Sequence, residues 1–194
     1  HINGGYYHVI GRGLERRYIF SDVDDKLNFL SRLGHNLAKY QGECLAWALM
    51  SNHYHLLLRV NQHPLSKIMA PVLGGYAGYY NRQHRRSGYV FQNRYQSILC
   101  DAECYLVQLV RYIHLNPVRA GMVETASELA DYRWTGHASV FGRYSQPWHA
   151  VDQMLAFFGH TKVAARSNYQ LLINEIAPID HGHCLSGGGL IRSS

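Results

Sequence analysis

The sequence predicts an α+β domain: one antiparallel sheet, helices packed on one of its faces, and a helical C-terminal extension. Three observations carry this expectation. Short apolar runs bounded by turn residues alternate with longer stretches in which leucines recur at every third or fourth position. The segments follow in the order strand, helix, strand, strand, helix, strand, helix. A hydrophobic fraction of 47% over 194 residues is enough for one domain with a sizeable core.

Taken in order, Tyr6 to Ile10 reads as the first strand, stopped by Gly11-Arg12-Gly13. Ser21 and Asp22 are N-cap residue types, and behind them Leu27, Leu30, Leu33 and Leu37 share one helix face. That helix is expected to run about 18 residues to Tyr40, with Gly42 as its stop. Cys44 to Met50 is the second strand and His53 to Val60 the third, joined at Ser51-Asn52. Pro64 opens a second helix carrying Leu65, Ile68, Met69, Val72, Leu73, Tyr76 and Tyr80. Pro71 and Gly74-Gly75 should kink or interrupt it. After a basic loop, Tyr89 to Leu99 reads as a long strand. Asp101 is placed to cap a third helix with Leu106, Leu109, Val110 and Ile113 as its apolar stripe, bounded by Pro117 and closed by Gly121. The first six elements are those of a ferredoxin-like, split βαβ arrangement, which leaves one sheet face open for a ligand. Beyond Glu124 the pattern weakens. Asp131 to Thr135 reads as an ordered loop, Val151 to Phe158 and Ala164 to Ile176 as helical, and Gly187-Gly188-Gly189 as a linker.

The net charge of +6 favours a polyanionic partner, nucleic acid first. The arginines are clustered: Arg12, Arg16 and Arg17, then Arg82, Arg85 and Arg86, then Arg94. No apolar run approaches the roughly 18 residues of a membrane helix, so no membrane partner is expected. The four cysteines form no disulfide framework and no signal peptide is visible, which makes a reducing, cytoplasmic setting the default. Cys100, Cys104 and the His181-x-His183-Cys184 cluster could be read as zinc ligands, but unrelated thiols and a His-rich loop explain them better.

The chemistry concentrates elsewhere. His53 and His55 stand two apart on a strand, so they project to one face and Tyr54 to the other. Two imidazoles on a rigid strand make half of a divalent-metal site with open positions. For an arbitrary His-x-His, a half-buried pair without metal is the commoner case. Tyr112 and Asn116 lie four apart on one helix face, beside the apolar stripe. Alone they would read as a packing tyrosine and a helix-end cap. Arg12, Arg82, Arg85, Arg86 and Arg94 are candidate phosphate contacts.

Four stretches in this order resemble a known family. They are Tyr7-His8-Val9-x-x-Arg12-Gly13, Met50-Ser51-Asn52-His53-Tyr54-His55-Leu56-Leu57, Phe91-Gln92-x-Arg94-Tyr95, and Tyr112-Ile113-x-Leu115-Asn116-Pro117-Val118-Arg119-Ala120-Gly121. They are similar to the REP-associated tyrosine transposases, single-tyrosine members of the HUH (His, hydrophobic, His) superfamily of single-stranded-DNA endonucleases. The resemblance covers residues 6–142 and includes Tyr132-Arg133-Trp134. It departs from the family at Ser51, where proline is common, and at Gln96, where lysine is common.

The resemblance implies the HUH endonuclease fold, with a catalytic domain over residues 1–143 and an extension over 144–194. It implies metal ligation by His53, His55 and Asn116, with Mg²⁺ or Mn²⁺ as the ion, and Tyr112 as nucleophile. The expected activity is metal-dependent nicking and joining of single-stranded or hairpin DNA through a 5′-phosphotyrosine, by a monomer or homodimer. A nucleic-acid-binding module without catalysis and a metal-dependent nuclease using water are the alternatives.

Overall fold

The structure is a computed structural model and describes residues 2–100 and 103–175. Four strands form one antiparallel sheet: β1 (Gly5–Arg12), β2 (Glu43–Leu49), β3 (His53–Val60) and β4 (Gln96–Cys100), in the spatial order β2-β3-β1-β4. Placing β1 and β3 side by side at the centre is the ferredoxin-like order that the chain order implies.

Helix α1 (Val23–Lys39) starts where its sequence says it should. Asp22 accepts from the Asp25 N–H at 2.8 Å, and the Asp25 carboxylate reaches back to the Asp22 N–H, a reciprocal capping box. Its stripe of Phe29, Leu30, Leu33 and Leu37 packs with α2 (Leu65–Gln83) on one sheet face, over Val9, Trp47, Tyr54, Leu56 and Leu58. These two helices share a face, as expected. Helix α3 (Glu103–Arg119) covers part of the other face together with the short helices α4 (Ala126–Leu129), α5 (Gly136–Val140) and α6 (Val151–Leu155), and with α7 (Lys162–Asn174). There Leu106, Leu109, Val110 and Ile113 meet Ala46, Ala48 and Leu57 of the sheet. Met154, Leu155, Tyr169 and Ile173 belong to the same core, so the extension up to α7 is packed onto the sheet. A bulge at Cys44–Ala46 turns both Leu45 and Ala46 toward this second core. The outer edge of β2 is covered: Leu49 N–H donates to the Trp134 carbonyl and Ala150 N–H to the Cys44 carbonyl.

Three elements differ from expectation. Helix α2 runs unbroken through Pro71 and Gly74-Gly75. Packing outweighs the proline: Val72, Tyr76 and Tyr80, all beyond it, are buried, and the Tyr76 and Tyr80 hydroxyls donate to the Ile19 and Tyr18 carbonyls. Gly75 lets the Arg32 guanidinium of α1 lie against the helix backbone, where a Cβ would collide with it. Second, β4 is confined to Gln96–Cys100 rather than beginning at Tyr89. It pairs with β1 from Tyr6 to Ile10; before that the chain follows α2, burying Val90, and meets the sheet through a Gly13–Phe91 bridge, the Arg12–Gln92 side-chain bond and the Phe91 ring against Tyr54 rather than as a continuous ladder. Third, α3 continues past Asn116 through Pro117 to Arg119. Gly121, with φ +66°, closes it: Gly121 N–H donates to the Val118 carbonyl and Met122 N–H to the Pro117 carbonyl, a Schellman motif. The capping role of Asp101, the His181–Cys184 cluster and the glycine run at 187–189 lie outside the described residues.

Candidate functional site

Strand alternation puts His53, His55 and Leu57 on the α3 face of the sheet, while Tyr54 is buried on the other face against Phe29. The β1–β3 register sets Arg12 opposite His53, Ile10 opposite His55 and His8 opposite Leu57, so those three β1 side chains share the histidines' face. The rings of His53 and His55 lie 5.2 Å apart between centroids. His8 joins them: its Nε2 is 3.0 Å from His55 Nδ1. The register with β3 brings His8 in, and no local sequence signal marks it. Its presence in the Tyr7-His8-Val9 motif is the only hint.

Helix α3 sets Tyr112 across this group. The Tyr112 ring stands edge-on to His55 at 5.5 Å and to His8 at 6.1 Å, and the Arg119 guanidinium sits over it at 5.0 Å. Asn116, one turn on, is buried, and its Nδ2 donates to the Tyr112 carbonyl at 3.0 Å. That leaves Oδ1 as the side chain's acceptor atom for other partners.

A cleft of about 480 Å³ opens on the histidines from the β1–β3 side. Arg12, Arg16, Asn52, His53, His55, Gln92, Asn93, Arg94 and Gln96 are among the residues lining it. Three arginines in one polar cleft suit a phosphodiester backbone. Arg12 and Arg94 are thus brought to the site. Arg16, which the sequence placed only in a cluster, is brought there too. Arg82, Arg85 and Arg86 are not among the described residues lining the cleft. They sit at the C-terminal end of α2, where Arg86 lies over the Tyr80 ring, because α2 packs on the opposite sheet face. Tyr112 and Asn116 stand on the α3 side of the histidines rather than on the cleft wall.

The electrostatics keep the imidazoles neutral. Burial lowers the His53 pKa and Arg12 lowers it further. Burial pushes His55 well below its ordinary value, helped by His8, His53 and Arg119. Burial brings His8 down to about 4. A neutral imidazole is the metal-ligating form. Two such rings on one strand face and an amide one helix turn from a tyrosine are therefore a donor set that fits a divalent ion with mixed nitrogen and oxygen ligands. A second cluster, Asp22, Asp25 and His84, also brings metal-ligating atoms together, at the start of α1. Its atoms already serve the capping box and an Asp25–His84 hydrogen bond at 2.9 Å.

The chain belongs to the IS200-like transposase family, whose model, described as "Transposase IS200 like", matches residues 1–116. Among solved structures it is similar to a REP-associated tyrosine transposase bound to a REP hairpin, with 16% identity and a TM-score of 0.61, over 75% of this chain and 84% of that one. That likeness establishes a shared fold. A transposase candidate from Deinococcus radiodurans R1 aligns at 21% identity and a TM-score of 0.42, over 58% of this chain and 91% of that one. No curated protein matches the chain.

Proposed function

We propose that the protein nicks and rejoins single-stranded DNA beside a hairpin, with Tyr112 as the nucleophile and residues 1–143 as the catalytic unit. The observation that carries this reading is the placement of the Tyr112 ring against His55 and His8, with His53 beside them at the head of an arginine-lined cleft. The similarity in fold to a transposase solved with a REP hairpin supports hairpin DNA as the partner.

Tyr112 attacks the scissile phosphorus, the bond to O3′ breaks, and the products are a 5′-phosphotyrosine and a free 3′-hydroxyl that takes up the proton the phenol loses. One phosphodiester is exchanged for another, so no nucleotide triphosphate is consumed and the step is reversible. A divalent ion, Mg²⁺ or Mn²⁺, held by His53, His55 and Asn116, supplies Lewis-acid polarisation of the phosphate oxygens when bound. Arg12, Arg16 and Arg94 hold the backbone phosphates in the cleft. Arg119 lies over the Tyr112 ring and holds it in place, and Asn116 ties its own amide to the Tyr112 carbonyl. A duplex holds the target strand stiff against its complement with its bases stacked, whereas a single strand can bend and be drawn along the cleft.

The test is to incubate the chain with end-labelled hairpin DNA bearing a single-stranded flank, with Mn²⁺, and to run the products on a denaturing gel. A protein–DNA band resistant to denaturation, with the DNA mapped by mass spectrometry to the peptide carrying Tyr112, is expected. A nick with no attached protein would instead favour hydrolysis by water, and binding with no cleavage would favour a binding module.

A further inference from the structure

We propose that Asn52 and His8 are positioning residues which fix the ring protons of His53 and His55, so that both imidazoles offer a bare Nε2 to the ion. The assignment for His53 follows from heavy atoms alone. Asn52 Nδ2 lies 3.0 Å from the Arg16 carbonyl oxygen, which can only accept. The amide nitrogen therefore faces Arg16, and the amide oxygen faces His53 Nδ1 at 2.7 Å. An amide oxygen also only accepts, so His53 Nδ1 carries the proton and Nε2 is left with its lone pair.

His55 is held by a different partner. Its Nδ1 faces His8 Nε2 at 3.0 Å, and the two rings are tilted by 25° with centroids 5.2 Å apart. Rings this far apart with nitrogens this close meet end to end, in an N–H···N bond rather than face to face. With Nδ1 engaged, Nε2 is the nitrogen of His55 that can meet an ion. It is bare only if Nδ1 bears the proton and His8 Nε2 accepts it, which in turn places the His8 proton on Nδ1. His8 is buried at 5% exposure and lies on the neighbouring strand, so its ring is a fixed part of the sheet face. The two supports come from different elements: Asn52 from the β2–β3 turn, anchored to the loop after β1, and His8 from β1 itself. A carboxylate or carbonyl is the more usual orienting partner of a ligating histidine; here an amide and a second imidazole take that place.

The inference rests on the metal role of His53 and His55 proposed above, and two measurements keep their failures apart. Long-range ¹H–¹⁵N correlation spectra of the full chain, labelled at histidine and free of metal, read ring protons directly at pH 7. Nδ1–H forms of His53, His55 and His8 are expected; a His55 or His53 carrying its proton on Nε2 overturns the proposal. Mn²⁺ affinity is then measured by the electron paramagnetic resonance signal of the free ion. His8→Leu and Asn52→Leu should each bind Mn²⁺ about 10- to 100-fold more weakly. His8→Gln, whose side-chain oxygen can accept from His55 Nδ1, should recover part of that loss. Wild-type affinity in His8→Leu, or equal loss in His8→Leu and His8→Gln, overturns the positioning role of His8. If the wild-type chain takes up no Mn²⁺ while the spectra show the expected protons, the metal reading falls and the assignment of tautomers stands.

Discussion

Lowering the pH from 7 to 5 should destabilise this fold measurably through His137 and His149. Both are buried in the second core, at 3% and 7% exposure. His137 Nδ1 shares a bond with the Tyr169 hydroxyl at 2.6 Å, and His149 Nε2–H donates to the Leu45 carbonyl at 3.0 Å. Burial brings each imidazole down to about 4, against an ordinary value of 6.5. In the unfolded chain both rings take up a proton as the pH falls through 6.5, while in the native protein they stay neutral until about 4. Their stability contribution is therefore complete above 6.5 and is lost progressively as the pH falls toward 4. Between pH 7 and 5 the loss works out at about 2 kcal/mol for each ring, on the order of 4 kcal/mol for the pair. That is a large share of a typical stability of about 5–15 kcal/mol. It corresponds to a fall in Tm of roughly 8–16 °C for a chain of this size. His114, whose Nδ1 also meets the Tyr169 hydroxyl, is pushed in the same direction by burial and by His137 and His149. Thermal unfolding followed by circular dichroism at pH 7, 6 and 5 measures the slope. His149→Gln should lose about 2 kcal/mol of the pH-dependent part whatever its baseline stability. Equal slopes for wild type and His149→Gln would refute the reasoning.

Other outcomes follow from the same structure. Gly136→Ala places a Cβ 2.8 Å from His114 Nε2, 2.8 Å from His149 Cε1 and 3.1 Å from Trp47 Cδ1. These three rings are buried, so the substitution should cost about 1–3 kcal/mol in urea unfolding; an unchanged midpoint would mean that the start of α5 shifts freely. Arg12→Ala and Arg94→Ala should weaken single-stranded DNA binding and lower the salt slope by about 1 each, whereas an Arg85→Ala and Arg86→Ala pair should change it less. The reverse order, read from binding isotherms at several salt concentrations, would move the DNA path away from the cleft. His53→Ala should abolish cleavage while leaving the circular dichroism spectrum and DNA affinity nearly unchanged; undiminished cleavage by this variant in EDTA would remove the metal from the mechanism.

The parts of this fold set by local chemistry could be read from the chain. Asp22 with Asp25, and Gly121 behind Arg119, end their helices through bonds made by the residues themselves. The two-residue period of a strand was enough to turn His53 and His55 one way and Tyr54 the other. What escaped the reading depends on distant partners. Pro71 and Pro117 look like breaks, but burial of Tyr76 on one side and Ile113 on the other holds their helices together. Tyr89 to Tyr95 has strand-forming residues and no strand beside it, because β1 turns away at Gly13 and α2 offers Val90 a place to pack. His8 and Arg16 come to the site through the β1–β3 register and the turn after β1, and Asn52 becomes informative only once Arg16 is seen beside it. Arg82, Arg85 and Arg86 lie at the C-terminal end of α2, which packs on the sheet face opposite α3, and so are not among the described residues that line the cleft.

The central claim is that Tyr112 forms the covalent link to DNA, and Tyr112→Phe tests it most directly. The substitution removes one oxygen and keeps the ring that packs against His8, His55 and Arg119. Stability, Mn²⁺ affinity and DNA affinity should stay close to wild type, while both the nick and the denaturation-resistant adduct disappear. A Tyr112→Phe protein that still forms the adduct would move the nucleophile to another tyrosine, with Tyr105, about two turns earlier on nearly the same face of α3, the first to examine, and one that nicks without an adduct would replace strand transfer by hydrolysis.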